Sequence, residues 1–135
     1  MDLKKYRDFL NENDAFVKQA NIHIIEVGAG FSEAVMEVDT RCLNFMGTVH
    51  GGALMTLADV VAGTCISHNG RHCVTLSASG NFIKAPGEGS VYAYGREVSV
   101  NGNTAVCDIE LKDSKGALVF KGMYNMFMID KKYEF

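Results

Sequence analysis

The chain has 135 residues, 47% of them apolar and 21% charged, with a net charge of −3. That length fits a single domain, 1–135, built on one core, and mild acidity without a dense basic run excludes nucleic acid as the main partner. No apolar run is long enough to span a bilayer and the charged start Met1-Asp2-Leu3-Lys4-Lys5 does not read as a signal peptide, so a cytoplasmic protein with no membrane partner is expected.

Residues 2–20 are predicted as an N-terminal helix, because Leu3, Tyr6, Leu10 and Val17 recur near helical spacing. Asn11, Asn13 and Asp14 weaken its middle, where a break into two pieces is expected. Tyr6 or Phe9 could wall a ligand pocket, and core packing is the favoured reading of both. Residues 22–27 and 31–39 then form a β-hairpin around Gly28-Ala29-Gly30. The second strand sets Ala34, Met36 and Val38 against Glu33, Glu37 and Asp39, so one face is covered and the other wet.

From Asn44 the chain runs through a polar, glycine-containing loop into a helix over 51–67 that is apolar on nearly every side. Such a helix belongs in the middle of a domain. Its one ionisable carboxylate is Asp59, which is costly there unless paired, solvated or used. The helix opens on Gly51-Gly52, where backbone N–H groups and the positive dipole end can approach an oxygen. Asn44, His50, these amides and Asp59 together make a candidate site. Taken alone, Asp59 is equally readable as a structural cap and Asn44 as a turn residue.

The rest of the chain is read as strand. Over 73–83, Val74, Leu76, Ala78 and Phe82 alternate with Thr75, Ser77, Ser79 and Asn81, which predicts two distinct faces. Residues 84–89 turn the chain. Strands at 90–100 and 104–112 flank Asn101-Gly102, a tight-hairpin signal. The run 117–129 is mostly apolar and belongs inside the sheet or at an interface. The predicted class is α+β: an N-terminal helix, and a six-stranded antiparallel sheet covering one long helix. A helix apolar all round needs cover on its remaining sides, from sheet curvature, the first helix or a second subunit.

The four cysteines (Cys42, Cys65, Cys73, Cys107) form no CxxC pair, and the four histidines (His23, His50, His68, His72) show no metal-ligand spacing. Reduced thiols are expected, with no metal and no cofactor.

The run Asn44…Gly47…His50-Gly51-Gly52…Leu57-Ala58-Asp59 resembles the signature of hotdog-fold acyl-CoA thioesterases. Within the 4-hydroxybenzoyl-CoA thioesterase superfamily it resembles the phenylacetic-acid-degradation and human thioesterase-superfamily-member type. The stretch from Val74-Thr75-Leu76 through Asn81-Phe82-Ile83-Lys84 to Gly87 resembles the segment after the helix in that family, except that Ala85 stands where many members have proline and Pro86 comes one position later. The resemblance implies a homodimer, and further a dimer of dimers, acting on acyl-CoA. It implies a site in which Asn44 and the His50-Gly51 turn come from one protomer and Asp59 from its partner. The Gly51 N–H would polarise the thioester carbonyl, Asp59 would act as base or nucleophile, and Thr75 or Ser77 would assist the water. Gly52 and Met55 are candidate substrate contacts, with Met46 as another acyl-lining residue. Lys84, Arg71 and Arg96 are candidate contacts for CoA phosphates, each also readable as an ordinary surface charge. Two other readings stand beside hydrolysis: a non-catalytic acyl-CoA-binding module, and a hotdog dehydratase of hydroxyacyl thioesters. Aryl, aryl-acetyl and medium-chain acyl groups are all open.

Overall fold

The central helix, α3 (Gly51–Ile66), organises the computed structural model, which describes residues 1–134. Leu57, Ala58, Val61, Ala62, Cys65 and Ile66 on it are fully buried, and they pack against the concave side of a six-stranded sheet. The strands are β1 (Ile22–Gly28), β2 (Phe31–Met36), β3 (Arg71–Phe82), β4 (Val91–Asn101), β5 (Thr104–Asp113) and β6 (Leu118–Lys132). Their order is β1-β2-β4-β5-β6-β3, with every neighbouring pair antiparallel. This is the α+β hotdog arrangement expected from the sequence.

The N-terminal helix is two helices, α1 (Leu3–Asn13) and α2 (Ala15–Gln19). Asp14 causes the break: its extended backbone ends α1, and its carboxylate accepts the Phe16 and Val17 N–H groups to cap α2. β2 stops at Met36, short of the expected 39, because Asp39 caps a 3-10 turn over Thr40–Cys42. The polar pair Thr64 and Ser32, buried between α3 and β2, satisfies itself with a 2.7 Å hydroxyl–hydroxyl bond.

β3 departs from the expected alternation. Thr75 is opposite Met126 and Ser77 opposite Asn125, so a β-bulge adds one residue between them. Partners across an antiparallel ladder share a face. Thr75 and Ala78 therefore lie with the buried Met126 and Tyr124 on the α3 side, while Val74 and Ser77 lie with Phe127 and Asn125 on the outer side. Thr75 and Ser77 do not point the same way, as strict period two required. β3 is also the terminal strand, with its outer edge unpaired and Val74 and Leu76 about half exposed. Among the described residues, no helix is long and apolar enough to cross a membrane.

Candidate active site

Asp59 lies midway along α3 and receives the Thr75 hydroxyl at 2.6 Å on Oδ1. A bond this short to a carboxylate is charge-assisted. Oδ2 has no hydrogen-bond partner among the described residues. The pair borders a cavity of about 520 Å³ between α3, the α1–α2 pair and β3, whose lining includes Met55, Val60, Gly63 and Tyr124. A second cavity of about 360 Å³, lined by His50, Ala53, Arg41 and Met36, meets it at Phe16, Gly52 and Thr56.

The helix start can be accounted for donor by donor. His50 is the N-cap, and its Nδ1 accepts the Gly52 N–H at 2.8 Å. That bond places the ring proton of the neutral imidazole on Nε2. The Ala53 and Leu54 N–H groups go to the His50 carbonyl. Of the four N–H groups a helix start leaves unmatched, only that of Gly51 has no partner among the described residues. A Cβ at Gly51 would come within 3.3 Å of the Phe82 ring, so the bare α-carbon lets that ring pack beside the helix start.

Asn44 is engaged within its own loop. Its Nδ2 donates to Thr48 Oγ1 at 2.9 Å, and its Oδ1 accepts the N–H groups of Met46 and Thr48. The loop is also pinned by the His50 N–H on the Cys42 carbonyl at 2.7 Å. At its tip Phe45 is 97% and Met46 68% exposed.

One chain does not bring the two halves together. Gly51 and Asp59 are about two turns apart on one straight helix, roughly 12 Å at 1.5 Å per residue. Thr75, Met55 and Gly52 border the Asp59 cavity. Ser77 does not: it accepts the Asn125 side-chain N–H at 2.8 Å on the outer face. Lys84 lies past the end of β3, 3.9 Å from Asp113. Arg71 is bound to Asn103 and the Met128 carbonyl, and Arg96 sits on the sheet's outer face beside Phe31.

Tyr124 was not singled out in the sequence, where it is one apolar residue in the run 117–129. It is buried, its hydroxyl donates to the Met55 carbonyl at 3.1 Å, and burial together with the Asp59 carboxylate pushes its pKa up to about 12. Met55 is four residues before Asp59, so its carbonyl also serves the Asp59 amide in the helix ladder. Tyr124 thereby ties the Asp59 turn of α3 to the sheet. Its phenol in an apolar strand was the available signal, since a buried tyrosine needs a partner.

Residues 46–120, which hold the helix start, Asp59 and Thr75, match the family model of the thioesterase superfamily. The chain belongs to the thioesterase superfamily. Among curated superfamily relatives it is 31% identical over 114 residues to the acyl-coenzyme A thioesterase PaaI of Escherichia coli, covering 82% of this chain and 81% of that one. The solved structure of the E. coli PaaI protein aligns over 94% of this chain and 96% of its own, with a TM-score of 0.86 and 26% identity. A hypothetical thioesterase from Streptococcus pneumoniae, solved with coenzyme A, covers 92% of this chain and 99% of its own, with a TM-score of 0.84 and 27% identity.

Proposed function

We propose that this chain hydrolyses acyl-CoA thioesters as a homodimer, with Asp59 of one protomer working against the helix start of the other. The observation that carries this is the Thr75–Asp59 pair on an open groove. Thr75 fixes one carboxylate oxygen and leaves the other to take a proton from water. The water oxygen attacks the thioester carbonyl, and negative charge develops on the carbonyl oxygen. The N–H of Gly51 of the partner subunit receives that charge; such a donor contributes about 3–4 kcal/mol to a transition state of this kind. Collapse of the tetrahedral intermediate breaks the C–S bond, and the proton held by Asp59 returns to the departing CoA sulfur.

Three features support the second subunit. The amide and the carboxylate of one helix are too far apart to share a substrate carbonyl. β3 offers a long unpaired edge, the kind of edge that pairs with another strand. The Asn44 loop is braced by its own hydrogen bonds yet holds Phe45 and Met46 out in solvent, as a segment that reaches a partner does. Within the dimer Asn44 and His50 shape the loop that presents Gly51, while Gly52 and Met55 border the acyl group. Lys84, half exposed, is assigned to the CoA phosphates. The apolar Phe31 and Met123, part-exposed on the outer face, support a dimer of dimers. Four free cysteines, three of them buried, suit a reducing compartment such as the cytoplasm.

The test is a thiol-release screen over aromatic and aliphatic acyl-CoA, run with wild type and a folded Asp59→Ala variant. Loss of about 10²–10⁴-fold in kcat is expected. A variant as fast as the wild type refutes the assignment. Binding without turnover across the panel indicates a binding module, and an enoyl product indicates a dehydratase.

A further inference from the structure

Gly63 stands inside α3, one turn past Asp59, where glycine costs a helix about 1 kcal/mol relative to alanine. Packing does not require it. A Cβ built there meets only Met126 Cε at 4.0 Å, an ordinary contact. At Gly95, by contrast, a Cβ would lie 2.8 Å from the Val61 carbonyl oxygen, so glycine is needed for α3 to approach the sheet. What Gly63 does is leave room in the cavity that also holds Asp59 and Thr75.

That room has a direction and an end. Asp59, Val60, Gly63, Thr64 and Ser67 are related by three- and four-residue steps and so form a single stripe along α3, all of them on the cavity wall. Facing the stripe are apolar Leu10, Val17 and Ile24 from the N-terminal helices and β1. The wall turns polar at Ser67, Tyr6 and Tyr133, where the two tyrosine hydroxyls lie 3.5 Å apart. From Asp59 to Ser67 the helix rises roughly 12 Å. A zigzag chain of about eight to ten carbons fills that span, with C–C bonds near 1.5 Å; a benzoyl ring occupies about half of it.

Resting on the thioesterase reading above, we infer that this groove is a channel for a linear medium-chain acyl group and that Gly63 sets how long a chain it accepts. The chain begins at the thioester beside Asp59, runs over Gly63 and ends against the Tyr6–Ser67 wall. The apolar Val60, Leu10, Val17 and Ile24 along the span give each added methylene roughly a fourfold gain until the polar end is reached.

The experiment compares kcat/KM for acetyl-, hexanoyl-, octanoyl-, decanoyl- and benzoyl-CoA in wild type, Gly63→Ala and Gly63→Leu. Binding of the matching S-alkyl-CoA thioethers, which cannot be hydrolysed, is measured by calorimetry, and oligomeric state by sedimentation. Wild type is expected to prefer octanoyl over acetyl and benzoyl. The octanoyl-to-acetyl ratio should fall at least tenfold in Gly63→Leu and by an intermediate factor in Gly63→Ala, with the same order in thioether binding. A benzoyl preference, or a ratio unmoved by both substitutions while hydrolysis persists, overturns the channel and leaves the thioesterase reading standing. Dissociation of Gly63→Leu with all substrates lost equally puts a second copy of the chain in the groove and overturns it too. If the wild type turns over no acyl-CoA, both readings fall.

Discussion

Removing the Thr75 hydroxyl tests the core of the site with the smallest change of shape. Thr75→Val keeps the branched side chain and a residue type favoured in strands, but deletes the 2.6 Å bond to Asp59 Oδ1. A hydrogen bond to a charged group has a net worth of about 1.5–3 kcal/mol. Both groups are solvent-accessible in one chain, which moves the expectation toward the lower half of that range. At 1.4 kcal/mol per factor of ten, kcat should fall about 10- to 50-fold, with KM little changed because the bond orients the base rather than the substrate. Thr75→Ser, which restores a hydroxyl, should recover most of the rate. Ser77→Ala should stay within about twofold, since Ser77 is turned outward onto Asn125. The assay is thiol release at saturating substrate, with a urea midpoint for each variant to confirm equal folding. Wild-type kcat in Thr75→Val, or an equal loss in Ser77→Ala, would show that the bulge does not select the working hydroxyl.

The same geometry sets other outcomes. Tyr124→Phe loses the bond to the Met55 carbonyl but keeps the ring, so a destabilisation of about 1 kcal/mol and a several-fold drop in kcat are expected, read by urea unfolding and steady-state rates. His50→Asn should retain most activity because asparagine also caps helices, whereas His50→Ala should cost about 1 kcal/mol of stability; a rate collapse in both would make His50 a proton carrier instead of a cap. Asp113 accepts the Ala117 and Lys115 N–H groups, which hold its carboxyl below the ordinary carboxylate range. A lowered folded-state pKa adds stability above the unfolded value near 4 and loses it as pH falls through the folded value. Asp113→Asn should therefore lower the thermal midpoint at pH 7 and flatten its decline below pH 4.

What the sequence disclosed and what it hid divide on whether a neighbour decides the outcome. The helix over Gly51–Ile66, the lone carboxylate of Asp59 and the glycines before it were readable, because apolar periodicity and composition are local. The split at Asp14 was half readable: the weak positions were visible, and the carboxylate cap that uses them was not. The facing of Thr75 and Ser77 was misread, since period two holds only while the ladder to β6 keeps its register, and the bulge is a property of that pairing. Tyr124 and Gly63 were passed over for the same reason. A phenol gains its role from a carbonyl 69 residues away in sequence, and a helical glycine from the space beside it.

In the dimer proposed above, the roughly 12 Å that separates amide from carboxylate on one helix would make every such helix a component shared by two reactions. A lesion at its front end and a lesion at its middle would then harm opposite pockets of the same pair. Subunits crippled at Asp59 and subunits crippled at the Gly51 turn, each inert among themselves, should complement when exchanged into mixed pairs. One pocket of each mixed pair then inherits both defects, and the other inherits none.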